Sequence, residues 1–419
     1  MSLSLKTDVM IAGGGMVGLP LALALAQGGL SVVVADAAPP AATLDPDFDG
    51  RVSALAYASV RMLTALGVWE GLAPHAQPIR EILVSDGKAD APASPFSLHF
   101  DAGELGATSL GHIAENRHIR RALHESVARQ TNLILLAPAS VTRLAAEAGG
   151  ITAGLADGGT VSARLVIAAD GRASPLRGQM GIGTVGWSYP QTGIVATVEH
   201  ERPHHGVAYE HFLPAGPFAI LPMPPAASRE GHQTNRASLV WTEAKTKAPA
   251  MLALDEARFN QEIARRFGPH LGATRAAGPR WSYPLSFHIA RRFVGKRFAL
   301  AGDAAHGIHP IAGQGLNLGL KDAAALADVL LDAARLGQDI GAGDVLRRCE
   351  RWRRFDSVTL AASTDALNRL FSNDIAPLRL LRDLGLGVVD AIGPARRFFM
   401  RHAGGDVGKL PRLMKGEAA

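Results

Sequence analysis

Residues 9–18, Val-Met-Ile-Ala-Gly-Gly-Gly-Met-Val-Gly, decide the fold of this chain. The first four residues form a short apolar run that predicts a buried strand, and a helix rich in Leu and Ala follows the glycines. Gly13, Gly15 and Gly18 have the G-x-G-x-x-G spacing. In that pattern the first glycine makes a tight turn, the second lets a pyrophosphate approach the backbone, and the third lets the helix pack on the strand. The stretch therefore predicts a dinucleotide site in a Rossmann-like α/β domain.

Asp36 follows these glycines at the distance expected for an acid that binds ribose. It ends a second apolar run, residues 31–35, and an acid about 20 residues after the glycines holds the ribose hydroxyls. An acid at this position favours FAD or NAD over NADP. The uncharged N-terminal stretch also has features of a secretory signal, because Lys6 precedes it and Ala22-Leu23-Ala24 resembles a cleavage site. We favour the dinucleotide site, because the signal peptide explains neither Asp36 nor the spacing of the glycines.

A second glycine-rich stretch, GDAAHGIHPIAGQGLNLGLKD at residues 302–322, follows another short apolar run. Asp303 stands at the end of that run, where a carboxylate would lie at the mouth of a sheet. The apolar spacing becomes helical from Leu316, so Gly313 and Gly315 lie beside a predicted helix N-terminus. Free N–H groups and the positive end of the helix dipole favour an anion there. The stretch predicts a site for a phosphate, a carboxylate or a reduced flavin ring.

A third motif, Asp170-Gly171, follows the apolar run at residues 165–169, and Ser174 and Arg177 come shortly after it. Together the three stretches resemble the flavin-dependent aromatic hydroxylases of the p-hydroxybenzoate hydroxylase type. That family uses a D-G motif with a following Ser and Arg near FAD and NAD(P)H. The resemblance implies an FAD-dependent monooxygenase.

Within that class, the chain resembles the hydroxylases of ubiquinone biosynthesis over nearly its whole length. The segments that carry this resemblance are 309–319 (HPIAGQGLNLG) with Asp322, 49–55 (DGRVSAL), 115–119 (ENRHI), 216–222 (GPFAILP) and 240–242 (VWT). Asp36 departs from the glutamate that these enzymes more often carry, a change that should still bind ribose. Residues 85–97 do not match the family.

The resemblance implies positions that bind the pyrophosphate, the ribose, the ribityl chain and the ring of FAD, namely Gly13, Gly15, Gly18, Asp36, Arg51, Arg117, Asp170, Asp303, Gly313, Gly315, Leu316 and Asn317. Backbone N–H groups at Leu316 and Asn317 would stabilise the anionic reduced ring. Pro310 and Gly315 are the implied catalytic positions. Their loop would exclude water from the flavin, and no side-chain nucleophile is needed.

The resemblance also implies the reaction. NAD(P)H binds transiently and reduces FAD, and O₂ then forms a C4a-hydroperoxide that attacks an electron-rich phenolic ring. We expect a polyprenylated phenol of ubiquinone biosynthesis as the substrate. The alternatives are a soluble aromatic metabolite and, from another class, a non-catalytic flavin-binding scaffold of a membrane-associated complex. Pocket shape rather than motif content selects the ring carbon.

The expected fold is α/β with a discontinuous chain path. A Rossmann-like FAD-binding domain would comprise residues 1–78, 101–182 and 288–365, and a β-rich substrate-binding domain would comprise 79–100 and 183–287. Strands are predicted at 192–200, 207–213, 218–221 and 237–241, between Pro and Gly turns. Asp157-Gly158-Gly159 predicts a hairpin turn. Residues 366–419 would form a helical, basic and apolar C-terminal segment.

Composition agrees with a large enzyme that has no metal centre. The 419 residues are 47% hydrophobic, enough for a sizeable core. The single cysteine, Cys349, excludes an internal disulfide and suits a reducing cytosol. No apolar run long enough for a spanning helix remains once residues 9–27 are assigned to the dinucleotide site. His306 and His309 lie three apart, but no third ligand accompanies them, so we expect no metal.

The positive charge is concentrated near the C-terminus. From Arg347 onward the chain holds 14 Lys and Arg against 8 Asp and Glu, while the rest holds 29 against 30. Leucines and phenylalanines are interspersed with these arginines, which predicts either a helical cap on the FAD domain or a contact with anionic lipids. We expect a cytoplasmic protein, peripheral at the inner face of the membrane. Its partners would be the lipid substrate and other ubiquinone-biosynthesis proteins, and not nucleic acid.

Overall fold

The computed structural model describes residues 3–45, 49–87, 97–227, 233–373, 389–390, 392–394, 396–397, 400, 404–405 and 408–419. Most of the unmatched stretch at 85–97 therefore lies outside the described residues. The same holds for much of the predicted C-terminal segment.

The strands, in chain order, are β1 (Ser4–Ala12), β2 (Val32–Ala35), β3 (Val52–Ala56), β4 (Ala76–Ile79), β5 (Glu81–Asp86), β6 (Ser97–Asp101), β7 (Gly111–Glu115), β8 (Leu133–Leu136), β9 (Val141–Ala146), β10 (Ile151–Leu155), β11 (Thr160–Ala168), β12 (Thr184–His200), β13 (Val207–Leu213), β14 (Gly216–Ala227), β15 (Gln233–Ala244), β16 (Thr274–Ala290), β17 (Val294–Gly295), β18 (Phe298–Leu300) and β19 (His306–Gly307).

The α-helices are α1 (Gly18–Gln27), α2 (Pro40–Thr43), α3 (Tyr57–Ala65), α4 (Trp69–Leu72), α5 (Asn116–Ala128), α6 (Pro175–Gln179), α7 (Ala248–Leu252), α8 (Glu256–Phe267), α9 (Gln314–Arg335), α10 (Gly343–Phe371) and α11 (Arg412–Lys415). Short 3₁₀ turns lie at Ala73–His75, Ala102–Leu105, Gly302–Ala304 and Ile311–Gly313.

The first sheet confirms the Rossmann-like prediction. Its strand order is β17-β18-β11-β1-β2-β8, with β10 and β9 added beside β11. Strand β1 runs parallel to both β2 and β11, and β18 runs parallel to β11. The apolar runs of the sequence are these central strands, which are buried because helices α1 and α9 cover one face. Their carboxyl ends therefore bring the three predicted motifs to one edge of the sheet.

The predicted hairpin turn is confirmed. Strands β10 and β11 pair antiparallel on either side of residues 156–159. The Leu155 N–H donates to the Gly159 carbonyl at 2.8 Å. Gly158 has a φ of 87°, a conformation that favours glycine.

The second sheet is mainly antiparallel, with the order β19-β16-β12-β15-β14-β13-β5-β6. The four strands predicted between 192 and 241 are present; β13 has the predicted bounds, and the other three are longer than predicted. Strand β16 was not predicted, yet it pairs with β12 along nearly its whole length. In the sequence, Gly278 and Pro284 interrupt the pattern that would predict this strand. The structure places these residues beside register shifts, where one strand bulges and ladder bonds are interrupted.

The predicted domain boundaries stay a prediction, and several of them fall inside elements of the structure. Strands β5 and β6 lie in the second sheet, as the division into 79–100 and 183–287 assumes. Strand β4 crosses the boundary at 78, and β16 continues past 287 to Ala290. Helix α10 crosses the boundary at 365, so the C-terminal segment does not begin at a helix end.

The described parts of the C-terminal segment pack against the rest of the protein. The Arg396 guanidinium donates to Glu104 at 2.9 and 3.0 Å, and Arg412 bonds Asp328 through both its backbone and its side chain. Met400 is buried in an apolar cluster. Two of the basic residues that suggested a lipid surface therefore pair with acids of this chain. Within the described ranges, every helix is too short or too polar to cross a membrane.

Candidate active site

The three glycines of the first motif have different surroundings. A Cβ on Gly13 would lie 2.2 Å from the Ala169 carbonyl oxygen, and one on Gly18 would lie 1.9 Å from the Gly13 carbonyl oxygen. These two glycines allow the strand, turn and helix to pack closely. A Cβ on Gly15, by contrast, would have no described atom within 4 Å. Gly15 therefore faces open space, as required for a residue whose backbone a pyrophosphate approaches.

Asp36 lies directly beside this turn. Its carboxylate accepts the Gly14 N–H at 2.5 Å and the Ala38 N–H at 2.8 Å. These two bonds hold the carboxylate at the end of β2, next to the space in front of Gly15. The location agrees with the predicted role in ribose binding.

Asp170 also lies at this edge, after the end of β11. One of its carboxylate oxygens is buried and has no hydrogen-bond partner among the residues that the structure describes. Burial raises the pKa of this carboxyl group above its ordinary value. An unpaired buried oxygen is costly, so the site suits a ligand or water that donates a hydrogen bond.

Asp303 lies in the 3₁₀ turn that follows β18, and its side chain is about half exposed. The Arg172 Nε lies 3.8 Å from its carboxylate. Its backbone carbonyl accepts from the His288 ring at 2.9 Å. The turn is thus held by its backbone, which leaves the carboxylate available to the hydroxyls of a ligand.

Arg51 belongs to a network that the sequence did not reveal. The buried Asp49 carboxylate accepts from Arg51 at 2.8 and 3.0 Å, from Asn116 at 3.0 Å and from Arg120 at 3.0 Å. These donors hold the pKa of Asp49 well below its usual range, although burial opposes the shift. The Arg51 guanidinium also lies 4.6 Å from the centre of the Tyr283 ring. The spacing of Asn116 and Arg120, one helical turn apart, is a signal that could have identified them.

Arg117 lies elsewhere. It pairs with Glu115 at 2.7 Å, and Glu115 also pairs with Arg236 of β15 at 3.2 Å. Arg117 therefore belongs to the contact between β7 and the second sheet, and the structure does not bring it into the Asp49 network. Its role in binding the cofactor stays a prediction.

The second glycine-rich stretch forms the start of α9. The helix begins at Gln314, two residues before the predicted start, because its first turn is polar and carries no apolar signal. Gly313 precedes it with a φ of 62°, and a Cβ on Gly315 would have no described atom within 4 Å. Pro310 is exposed on the loop just before. The free N–H groups of this first turn therefore adjoin open space next to Gly315.

The side chain and the backbone of Asn317 have different surroundings. Its side chain is buried and turned away, where it accepts from the Ala56 N–H at 2.9 Å and the Ser59 hydroxyl at 2.8 Å, and donates to the Ala54 carbonyl at 2.8 Å. These bonds attach the first turn of α9 to β3 and α3. The side chain positions the helix, and its backbone N–H remains the candidate flavin contact.

The two histidines of the loop have separate surroundings. His306 contacts the buried Asp322 at 2.5 Å, and Asp322 also accepts from Arg353 at 2.9 Å and from the Gly302 N–H at 3.1 Å. His309 is buried against Tyr189, with ring centroids 5.1 Å apart. Among the placed side chains, the structure contains no group of three acids, histidines or cysteines arranged for a metal ion.

The residues at this edge fit FAD. The glycine turn and the α9 N-terminus both adjoin open space at positions where a Cβ would project into it. Asp36 and Asp303 present carboxylates at the ends of two strands, and Asp170 supplies an unpaired oxygen. The glycine turn suits a pyrophosphate, and the N-terminus of α9 suits a ring that becomes anionic on reduction. The carboxylates suit the hydroxyl groups of two polyol segments.

The sequence matches the family described as FAD binding domain over residues 6–339. The chain is 51% identical to the ubiquinone hydroxylase UbiL of Rhodospirillum rubrum over 98% of this chain and 92% of that protein. It is 35% identical to the 3-demethoxyubiquinol 3-hydroxylase of Escherichia coli over 95% and 98%. The human mitochondrial ubiquinone biosynthesis monooxygenase COQ6 is 30% identical over 94% and 92%.

Solved structures confirm the fold. The p-nitrophenol 4-monooxygenase PnpA of Pseudomonas putida has a TM-score of 0.77 at 19% identity, over 97% of this chain and all of that chain. PqsL of Pseudomonas aeruginosa, in complex with 2-aminobenzoylacetate, has a TM-score of 0.74 at 23% identity, over 88% and 97%. The family match covers most of the chain and includes every motif at the site. The chain therefore belongs to the FAD-dependent aromatic-ring hydroxylases of ubiquinone biosynthesis.

Proposed function

We propose that this protein hydroxylates the aromatic ring of a polyprenylated phenol in ubiquinone biosynthesis, with FAD as cofactor and NAD(P)H and O₂ as co-substrates. The observation that carries this proposal is the site at the sheet edge, in a chain 51% identical to a ubiquinone hydroxylase over 98% of its length. The binding roles of the individual residues are part of the proposal.

The chain itself contributes binding, orientation and the exclusion of water. The first turn of α9 directs free N–H groups and the positive end of its dipole towards the site. When bound, FAD supplies the redox chemistry with NAD(P)H and O₂. Asp36 and Asp303 would hold its two polyol segments, and the backbone at Gly15 would bind its pyrophosphate.

The surroundings of Pro310 support an apolar aromatic substrate. Ile308 and Ile311, on either side of this exposed proline, are buried in two separate apolar clusters. The Ile311 cluster includes Phe212 of β13 and Phe371 at the end of α10. Such side chains suit a prenylated ring and would keep water from the reacting face of the flavin.

We also propose peripheral contact with the inner face of the cytoplasmic membrane through residues 366–419, and association with other ubiquinone-biosynthesis proteins. The basic and apolar composition of that segment supports the contact. Leu367 and Leu370, at the end of α10, have exposed side chains.

The test of the function is mass spectrometry of quinone lipids from cells that lack this gene. We expect loss of ubiquinone and accumulation of a prenylated precursor that lacks one or more ring oxygens, and the precursor identifies the carbon. Complementation by the wild-type gene should restore ubiquinone. An unchanged quinone pool would contradict the proposal and favour a soluble aromatic substrate.

The test of the site is the flavin content of purified Asp303→Ala protein. Because the carboxylate is half exposed and its ion pair is long, its loss should not unfold the protein. We expect a folded protein that retains little FAD. Normal flavin content would contradict the assignment of Asp303. A wild-type protein that binds FAD and never oxidises NAD(P)H with any phenol would instead indicate a scaffold.

A further inference from the structure

The outer face of helix α10 exposes large apolar side chains beside arginines. Arg351, Phe355, Val358, Ala362 and Arg369 follow one another at intervals of three, four or seven residues and therefore lie on one side of the helix. Phe355 is 75% exposed and Val358 is 43% exposed. The opposite side of α10 is buried against the protein. We call these five residues, together with Arg354, the α10 outer face.

Strand β12 extends this surface with two more apolar side chains. Val185 and Trp187 are 44% and 38% exposed. The guanidinium of Arg369 lies 5.2 Å from the Trp187 ring centre, so the strand and the helix face adjoin. Trp187 stacks on Phe287 with ring centroids 4.3 Å apart, which holds the indole in place. The α10 outer face with Val185 and Trp187 is one continuous surface.

The charge of this surface is positive. Arg351 and Arg354 are exposed, and the Arg369 side chain is 64% exposed. Asp356 on the same stretch of helix is engaged away from this face, whereas Asp365 offsets the charge of Arg369, so the positive charge of the surface rests on Arg351 and Arg354. Asp356 pairs with Lys321 and Arg353, and Asp365 accepts from the Tyr189 hydroxyl as well as pairing with Arg369. The surface therefore presents arginines around exposed aromatic and aliphatic side chains.

We propose that the α10 outer face, with Val185 and Trp187, lies on an anionic lipid bilayer. Aromatic and aliphatic side chains enter the boundary between headgroups and acyl chains, and arginines pair with anionic headgroups. The complementary charge favours lipid over a second copy of this chain. A symmetric pair of these faces would bring arginines against arginines, because a two-fold interface joins identical patches.

The surface lies close to the proposed flavin loop, which would suit a substrate that comes from the membrane. Ala361, on the inner side of α10, packs in one cluster with Leu285, Ile308 and Leu318, next to the loop that carries Pro310. One helix, roughly 10 Å across, therefore separates the bilayer contact from the proposed flavin loop. This inference rests on the proposed function, because a polyprenylated substrate must leave a membrane to reach the site.

The test is co-sedimentation of the full-length, FAD-loaded protein with lipid vesicles. One set of vesicles is phosphatidylcholine alone, and the other contains phosphatidylglycerol as well. We expect binding to the second set, and weaker binding as salt is raised. The double variant Arg351→Gln/Arg354→Gln should bind about 25-fold more weakly, at roughly fivefold for each arginine near an anionic surface. Phe355→Ser should bind at least several-fold more weakly.

The controls have the same chemistry at other exposed places. Arg143→Gln/Arg258→Gln removes two exposed arginines, and Leu336→Ser removes an exposed leucine between α9 and α10. Both should bind like the wild type. Equal binding by all variants, or equal binding to both kinds of vesicle, would overturn the inference. A concentration-dependent dimer that Phe355→Ser abolishes, without vesicle binding, would also overturn the inference. It would indicate that a second copy of this chain covers the face.

Activity on a water-soluble phenol separates this inference from the proposed function. The Arg351→Gln/Arg354→Gln protein should retain phenol-stimulated NAD(P)H oxidation, because these arginines lie outside the flavin site. If wild-type protein oxidises NAD(P)H with phenols and ignores anionic vesicles, the inference fails alone. If it binds the vesicles and never oxidises NAD(P)H, the proposed function fails and the surface stands.

Discussion

Single residues at the sheet edge divide between those that build the site and those that face the ligand. Positions 13 and 18 require glycine, because a Cβ on Gly13 or Gly18 would lie about 2 Å from a carbonyl oxygen. Gly15, by contrast, faces open space. The buried Asp49 orders Arg51 and Arg120, and Asp36 and Asp303 keep their carboxylates at strand ends. Glycine thus allows close packing at one position and leaves open space for a ligand two residues away.

We expect Gly15→Val to abolish FAD binding without unfolding the protein. The valine would project into the open space where the pyrophosphate approaches the backbone. The measurement is the ratio of flavin to protein absorbance after purification, with circular dichroism to confirm folding. Gly149→Val is the control, because its Cβ also meets open space but lies in an exposed turn between β9 and β10. Normal flavin content in the purified Gly15→Val protein would contradict the assignment of the pyrophosphate to this position.

At the scale of elements, buried polar groups determine how α9 meets its neighbours. Asp322 of α9 accepts from Arg353 of α10 and contacts His306, and it also receives the Gly302 N–H of the turn that carries Asp303. Asn317, one turn into α9, bonds β3 and α3. Both ends of the flavin loop are therefore attached to α9 by buried side chains.

Arg353→Met should destabilise the protein by about 3–5 kcal/mol. Removing Arg353 breaks a buried ion pair and leaves Asp322 with only His306 and the Gly302 N–H as partners. The guanidinium is almost fully buried, so solvent would not replace it. Urea unfolding followed by flavin-independent fluorescence measures the loss. The exposed neighbour Arg354→Met should change stability by less than about 0.5 kcal/mol. Equal stability of the two variants would contradict a structural role for the network.

Asn317→Ala should cost about 2–4 kcal/mol, because it removes side-chain bonds to the buried Ala56 N–H, to the Ser59 hydroxyl and to the Ala54 carbonyl at once. Ser59→Ala is the matched control. It removes a single bond to the same amide oxygen and should cost about 1 kcal/mol. Chemical denaturation of both variants gives the comparison. A smaller loss for Asn317→Ala than for Ser59→Ala would show that the amide does not hold α9.

At the scale of the whole molecule, the two large sheets contact each other around the flavin loop. Strand β19, which follows the Asp303 turn, pairs with β16 of the second sheet. His309, which belongs to this loop, is buried against Tyr189 of β12. The loop thus contacts both sheets. The protonation state of His309 therefore affects the stability of the folded protein.

The free energy of unfolding should fall as pH is lowered from about 6.5 to about 4. Burial lowers the pKa of His309 from 6.5 to about 4, and the pKa of His118 is lowered to about 4 as well. In that window the unfolded chain binds protons that the folded protein does not, so acid favours unfolding. His309, which is fully buried, contributes up to about 3 kcal/mol of this loss.

The measurement is urea unfolding at several pH values between 4 and 7. His309→Phe should reduce the slope of stability against pH in this window, since it removes one of the histidines whose pKa is lowered most. The idea fails if the His309→Phe slope equals that of the wild type. Asp49 and Asp322, whose pKa values are lowered, add a further loss at still lower pH.

Much of the fold and of the candidate site could be predicted from local patterns. The strand, glycine turn and acid at 36 follow from short-range sterics and hydrophobic periodicity, and the family resemblance extended them to Asp170 and Asp303. Strand β16 escaped prediction because Gly278 and Pro284 mask an otherwise alternating pattern. The start of α9 was placed two residues late, because polar residues of a first turn have no apolar period.

The amino-acid sequence by itself determined the Rossmann-like first sheet and the family, and it predicted the FAD-binding positions at the edge of that sheet, since each depends on contiguous residues and their spacing. Only the tertiary structure decided which side chains act on one another over long separations. It joined Asp49 to Arg120, turned the Asn317 side chain away from the site and separated Arg117 from the Asp49 network. It also placed Trp187 beside α10. Such contacts depend on the packing of distant elements, and a linear pattern does not encode which faces will meet.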